Sequence, residues 1–533
     1  MAGRWLVVLV LSCGGNPAGS DGGGPIVDSS PITPPGTTCG APVTPVETSS
    51  PTTVVTSCTQ AGLVTALAAG GTITFACGGP TTIAITTTLT VRTDVDTTID
   101  GGNQVILDGG GAVQIMSFDH HDYRVNHTVL TLQHLTLAHG RAHGTMMYAP
   151  APAPCSQGHY DGYGGALYFR DGELVVIDTQ FLANQAEQLG PDVGGGAISL
   201  LGVSRAVIAN SVFQDNQGSS GGAINSLNSQ LDVYDSVFDA NVATGNGANG
   251  DDAGMCSVVA TNGQHQTGSG GNAGAIGIDG GDDTSHTFCG VHFTNNHSGV
   301  GALGGALART PDHAKQTTTI DRCTFDGNQG DTAAALYFHN STLAITASTF
   351  SNNTATKGSG AIQADGTTLQ LLNLTFTNNS AMAGLGGAVS LFGGDGTIAF
   401  TTFAANHSDG GDPYFGAAIG GNPTLALVSD LFVNNTAQNP GAPMQCQVTG
   451  TGDGNVQFPR GHVVGGGNDA PCTPTTTFVD PMLGALGDNG GASFTMLPAP
   501  TGPAHGAGVM CPPTDQRGMP RPATACTSGS VEN

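Results

Sequence analysis

The run Asp279-Gly280-Gly281-Asp282-Asp283 holds the carboxylates of this chain best spaced to act together. Such a group could chelate a hard cation such as Ca²⁺, or divide into a proton donor and a proton acceptor. Asp251-Asp252 lie close by, and both groups sit in or beside an interruption of an otherwise regular pattern. Against this stands the placement of nearly all Asp residues in predicted turns, where the side chain is favoured for its bonds to nearby backbone. The sequence therefore assigns no catalytic residue and no cofactor-binding residue. Ca²⁺ at Asp279, Asp282 and Asp283 is the one metal expectation, and the alternative is turn aspartates in water.

Seven histidines crowd into one stretch: His120, His121, His127, His134, His139, His143 and His159. Imidazoles at such density can bind a metal or shuttle protons. His134 and His139 fall on an alternating strand and its turn, and no HxxxH spacing on a helix brings two of them together. The cluster reads as histidines on an exposed surface.

Twelve cysteines are present, none in CxxC or Cys/His zinc spacing. Val10-Leu11-Ser12-Cys13 follows Arg4 and the apolar stretch Trp5 to Leu11. That N-terminus reads as a signal peptide, residues 1–13, ending in a lipobox with Cys13 as the lipidated residue. Exported chains oxidise their thiols, so close neighbours are expected to pair: Cys58 with Cys77, Cys446 with Cys472, and Cys511 with Cys526. Cys256 is expected to reach Cys289 across the interruption, and Cys323 to remain a buried free thiol.

Only 10% of residues are charged, yet the formal net charge is −26 and two residues alone are Lys. So acidic a surface repels phosphate backbones and anionic lipid, which disfavours nucleic acid as a partner and leaves a lipid anchor as the membrane link.

These residues hang on a repeat. Phe-x-x-Asn occurs at Phe181/Asn184, Phe213/Asn216, Phe238/Asn241, Phe293/Asn296, Phe325/Asn328, Phe350/Asn353, Phe376/Asn379, Phe403/Asn406 and Phe432/Asn435. Successive gaps are 32, 25, 55, 32, 25, 26, 27 and 29 residues, and the 55 contains the Gly/Asn/Asp-rich run at 244–272. A small-small-Ala-aliphatic signal precedes each Phe, as at Ala166, Ala223 and Ala388. Periods of this length mark stacked units. Counting back from Phe, positions −7, −5 and −2 are mostly apolar or small, as in Leu231, Val233 and Ser236. The step of two is a strand with one face inward. The step of three adds a bend or bulge. Phe is expected to stack inside, and Asn to lie in a turn, tolerate left-handed φ and bond to its counterpart one coil on. About twelve coils at about 4.8 Å give a rod of roughly 60 Å.

The stretch 58–77 places Leu63 and Leu67 at helical spacing, closed by Gly70-Gly71, and reads as a cap on the first coil. Residues 14–57, rich in Gly, Pro, Ser and Thr, read as a flexible tether.

This combination resembles the right-handed parallel β-helix, pectin-lyase-like superfamily. The paired GGA-[ILV] and FxxN signals look like those of the chlamydial polymorphic outer-membrane proteins. Asp480-Pro481-Met482-Leu483-Gly484, Asp488-Asn489-Gly490-Gly491 and Asp515-Gln516-Arg517-Gly518-Met519-Pro520-Arg521-Pro522 are similar to the choice-of-anchor Q region of exported bacterial β-helix proteins. The resemblance implies an all-β parallel solenoid over 58–455, interrupted near 244–272, with an irregular C-terminal cap at 456–533. Together with the lipobox at Cys13, the expectation is a monomeric, outer-membrane lipoprotein of a Gram-negative bacterium. Its role would be adhesion to, or contact with, a surface glycan or a component of a host or neighbouring cell. The other reading is a polysaccharide lyase or glycoside hydrolase. Such an enzyme would gather at least two carboxylates and a basic residue in one groove.

Overall fold

A computed structural model describes residues 33–34, 38–147, 158–247, 270–281, 283–311, 316–410, 415–439, 442–447 and 449–533. Cys13, Asp251, Asp252, Cys256 and Asp282 lie outside these.

The chain winds as an all-β parallel solenoid of about twelve turns. The coil that follows Gly221-Gly222-Ala223 shows why. Ile224–Leu227 runs along one face, and Leu231–Tyr234 and Val237–Asp239 form two legs of a second sheet. Val242–Ala243 then begins the return. Each strand pairs in parallel, residue for residue, with its equivalent on the next coil, as Ile224 does with Ile276 and Phe238 with Phe293. Because Phe238 stacks directly on Phe293, the 55-residue gap is one coil carrying an inserted loop.

The corners on either side of each Phe leg are turned by residues in the left-handed region. One corner is three residues before Phe, as at Asp235, Arg322 and Ser429, so the step of three is a bend. The other is two residues after it, as at Ala240, Asn352 and Asn434. The ladder asparagines were expected to take this conformation themselves, and that expectation is corrected at every one of them. None of Asn184, Asn216, Asn241, Asn296, Asn328, Asn353, Asn379, Asn406 and Asn435 has positive φ. The residue before each absorbs the turn and swings the Asn side chain inward, where all nine are fully buried.

The expected bond from coil to coil is present throughout. Asn241 donates from Nδ2 to the Phe213 carbonyl at 2.9 Å and to Asn296 Oδ1 at 3.0 Å, and Asn216 donates to Asn241 Oδ1 at 2.9 Å. Further along, Asn328 donates to Asn353 Oδ1 at 2.9 Å, Asn353 to Asn379 at 2.8 Å, and Asn379 to Asn406 at 2.9 Å. A primary amide alone supplies both the donors and the acceptor that this position needs. The series closes at both ends, where Gly140 N–H bonds Asn184 Oδ1 at 2.8 Å and Asn435 Nδ2 bonds Gln445 Oε1 at 2.7 Å.

The Phe rings stack beside this ladder, Phe213 on Phe238 at 4.6 Å and Phe325 on Phe350 at 4.6 Å. That separation matches the spacing of strands in a sheet. Position −2 forms a third column, in which Ser236 donates to Tyr234 O at 2.7 Å and accepts Ser211 N–H at 3.0 Å. Cys323 occupies this column as a buried free thiol.

The helix Gln60–Ala69 covers the first coils with Leu63, Ala66 and Leu67, capped by Thr59 and stopped at Gly70. It is too short to cross a membrane, and no helix among the described residues is long and apolar enough to do so. Cys58–Cys77, Cys446–Cys472 and Cys511–Cys526 are bonded. Cys289 pairs with Cys39 rather than with Cys256, because the segment before the helix is laid along the rod. Thr38 N–H bonds Asp235 at 2.9 Å, Val46 N–H bonds Gln133 at 2.8 Å, and Thr48 bonds Asp100 at 2.8 Å. The tether expected over 14–57 is therefore fixed to the solenoid from Thr38 onward.

At the other end, Val456–Phe458 and Thr477–Phe478 extend the long sheet. The chain then turns back along the flank. Gln516 reaches Thr349 at 2.8 Å, Asn373 reaches Thr514 O at 3.0 Å, and Gly529 N–H bonds Ser429 O at 2.7 Å.

Candidate functional site

The outer face of the eleven-stranded sheet carries the side chains that the winding pushes outward. In Leu167–Arg170, Leu167 and Phe169 are buried, so Tyr168 and Arg170 point out. Tyr163, in the turn just before, lies against Tyr168 with ring centroids 5.6 Å apart and planes inclined by 22°. Gln114 fixes that turn, donating to Tyr163 O at 2.7 Å and Gly164 O at 3.0 Å. Beside the pair lies an open cleft of about 380 Å³, lined also by Thr88, Arg141 and His143. Burial, reinforced by the charge of Asp119, pushes the Tyr168 hydroxyl up to about 12, so it remains a neutral donor. No carboxylate lines the cleft among the described residues. Flat aromatic faces among scattered hydrogen-bonding groups suit a ligand with one apolar and one hydroxylated side.

Tyr168 pairs in register with Ser199, then Asn225, Gly277, Ala308 and Tyr337. Five coil steps of about 4.8 Å put Tyr337 roughly 24 Å along the same face. There Tyr337 donates to Asp365 Oδ2 at 2.9 Å. Burial raises the Asp365 carboxyl above its ordinary value and raises the tyrosine as well. His339 lies opposite Asp365 in the ladder. This cluster contains a carboxyl held toward its neutral form, a phenol and an imidazole, the ingredients of proton transfer.

The two described Ca²⁺ candidates are each engaged by other partners. Asp279 accepts from Thr310 Oγ1 at 2.9 Å and Gly280 N–H at 2.9 Å, while Asp283 pairs with Arg124 at 2.5 Å. Among the described residues, no three His, Cys, Asp or Glu side chains converge as a metal ion would require. Most of the histidines meet a carboxylate, and His121, His127 and His139 do so at the exposed surface that the sequence suggested. His120 meets Asp171 at 2.8 Å, and His134 lies 3.0 Å from Asp100 and 3.6 Å from Asp178, both half-buried rather than exposed. His143 alone of the seven faces the tyrosine cleft. A larger opening of about 600 Å³ lies on the flank between Thr38 and Gln516, but its arginines are already paired, Arg322 with Asp321 at 2.6 Å and Arg517 with Asp515 at 2.8 Å.

The tyrosine cleft did not emerge from the sequence reading. A signal was present: Tyr123, Tyr148, Tyr160, Tyr163 and Tyr168 are five of the eight tyrosines. They fall in and just beyond the histidine-rich stretch.

No protein-family profile matches the chain, and no curated protein matches it in sequence. Solved structures similar to it include the following two. PfbA, a surface adhesin of Streptococcus pneumoniae, is 11% identical, covering 70% of this chain and 87% of that one at a TM-score of 0.39. The A-module of the Azotobacter vinelandii mannuronan C-5 epimerase AlgE6 is 12% identical, covering 78% of this chain and 93% of that one at a TM-score of 0.30.

Proposed function

We propose that this chain is an exported, surface-displayed solenoid that holds a glycan without cleaving it. The observation that carries this reading is the Tyr163–Tyr168 pair over an open cleft furnished with Arg141, His143 and Gln114 and no carboxylate among the described residues. A sugar ring stacks on such a face, while its hydroxyls meet the surrounding donors and acceptors. Export is supported by four disulfides, which persist outside the reducing cytosol. With a net charge of −26, the favoured partner is a neutral glycan on a host or neighbouring cell rather than a polyanion. Lipidation of Cys13, an outer-membrane location in a Gram-negative bacterium, the choice-of-anchor Q character of 456–533 and a monomeric state belong to the same reading. So does the kinship of the repeats with the chlamydial polymorphic proteins.

The test is retention on immobilised neutral and acidic polysaccharides, with and without Ca²⁺. Retention that Tyr163→Ala and Tyr168→Ala weaken supports the reading, and equal retention by all three proteins refutes it. A second reading, a polysaccharide lyase or glycoside hydrolase, draws on Tyr337, Asp365 and His339. Release of unsaturated or reducing ends, lost in Asp365→Asn, would replace the first reading with this one.

A further inference from the structure

A chain that enters a solenoid at its first coil would ordinarily be held by that end. Here Thr38 and Cys39 are bonded to the solenoid away from its first coil, at Asp235. Cys39 is bonded to Cys289, 250 residues away in sequence. Counting parallel pairings from Gly71–Phe75, the strand His286–Cys289 is six coil steps along the rod. At about 4.8 Å per step that is about 29 Å, close to the middle. The chain then runs back to Thr53–Val55, which pairs with Gly71–Phe75 beside the capping helix. The stretch from Cys39 to Val55 could reach about 53 Å at roughly 3.3 Å per residue, so it covers the distance with slack.

Polar contacts surround the bond. Asp235 accepts from Thr38 N–H at 2.9 Å and Cys39 N–H at 3.4 Å, and Arg322 donates to Thr38 O at 2.7 Å. Three successive coils thus grip one point of the strap. The stretch between this grip and Val46 is lightly held, with Gly40, Ala41, Pro42, Thr44 and Pro45 exposed.

We propose that the Cys39–Cys289 bond makes the waist of the rod, not its capped end, the point through which the chain upstream of Thr38 is held. Load applied through the N-terminus enters at the coil of Cys289. It bypasses the helix, the Cys58–Cys77 bond and the coils that carry Tyr163 and Tyr168. Those coils hang free of the load path, and the tyrosine cleft keeps its shape under tension. The use of this arrangement rests on the surface-display reading, whereas the load path itself does not.

Pulling the full-length oxidised protein between terminal handles tests it. The extension is expected to lack the length between Cys39 and Cys289, roughly 850 Å at about 3.4 Å per residue. Most of that length should appear in Cys39→Ser, where Cys58–Cys77 still withholds 19 residues, and all of it in the wild type once a thiol reductant is added. An oxidised wild type that already releases it overturns the proposal. A second measurement does not depend on how a cysteine variant folds. With a protease site inserted after Gly40, the cut upstream fragment should stay on the rod until the reductant releases it. Release without reductant also overturns the proposal. Loss of glycan retention while the fragment stays bound would sink the display reading alone.

Discussion

Asn241 and Asn296 stand 55 residues apart in sequence and 3.0 Å apart in space, the amide of one donating to the carboxamide oxygen of the next. The backbone N–H of Asn241 bonds the same oxygen at 3.1 Å. Replacing Asn296 by Ala strands both donors in the buried interior. A cost of about 2–4 kcal/mol is expected, at about 1–3 kcal/mol for each unsatisfied group less some relaxation. Asn296→Asp should cost more, because an ionised carboxylate there loses the donor that meets the Phe238 carbonyl. Denaturant titration of both variants against wild type measures the order.

Asp430 stands where other coils carry Ser348 and Thr401, fully buried, with Oδ1 accepting Thr401 N–H at 2.8 Å. No donor among the described residues faces Oδ2. Burial raises this carboxyl well above its ordinary value. A carboxyl whose folded value lies above its unfolded one contributes stability that is complete at low pH and lost as pH rises through the folded value. Asp430→Asn keeps an acceptor for Thr401 and removes the ionisation. The variant is expected to outlast wild type at neutral pH by an amount that shrinks toward about pH 4, the ordinary value of a free carboxyl. Melting temperatures across that range measure it, and a pH-independent gap would contradict the argument.

Cys323 lies fully buried in the serine column, and burial pushes its thiol up to about 12. Alkylating reagents act on thiolates, so the native protein should resist iodoacetamide at this position until it is unfolded. Cys323→Ser should cost less than about 1.5 kcal/mol, since a hydroxyl bonds here as Ser236 and Ser348 do.

Arg521 places its guanidinium 4.6 Å over the Phe400 ring and donates to Thr527 O, Gly529 O and Glu532 at 2.8–3.0 Å. Removing one partner of a buried ion pair costs about 3–5 kcal/mol. Arg521→Ala is expected to free the C-terminal segment while the coils stay wound. Limited proteolysis should then trim residues beyond Phe478 and leave the far-ultraviolet circular dichroism unchanged.

Stacking of one tyrosine ring is worth about 0.5–1.5 kcal/mol beyond the area it covers. Tyr168→Ala should therefore weaken glycan retention by about 3- to 10-fold, and Tyr168→Phe by less. Isothermal titration with the polysaccharide that the wild type retains best measures both.

The winding was legible because it repeats. Nine Phe-x-x-Asn signals report the same contacts nine times, and alternation around Leu231 and Val233 gives the inward face. What escaped was everything that occurs once, or that no single residue type marks. The left-handed corner falls on Ala240, Asn295 or Gly327 alike, and such a mixed column has no letter to recognise. Its constant neighbour, the Asn of the motif, therefore drew the turn assignment that belongs one residue earlier. Cys39 sits in a stretch whose composition is that of a linker, and no spacing rule reaches 250 residues to Cys289. Tyr163 and Tyr168 meet only once the turn at Gly164-Gly165 is folded, and outward residues carry no period of their own. The Asp515-Gln516-Arg517 run was recognised as a block, but its work could not be. Asp515 accepts from Glu532 N–H at 2.9 Å and Gln516 reaches the Thr375 hydroxyl, contacts that exist only after the chain doubles back.

Stacks whose units touch only their neighbours melt like a zipper, from either end, one tooth at a time. The two flanking segments change that rule here. The first ties the opening coil to the coil of Cys289, and the last ties Ser348 to Gly454. Fraying at one extremity must first peel a cord that also binds coils far inside. The whole length should therefore come apart in one or two concerted steps, despite being built of repeated parts.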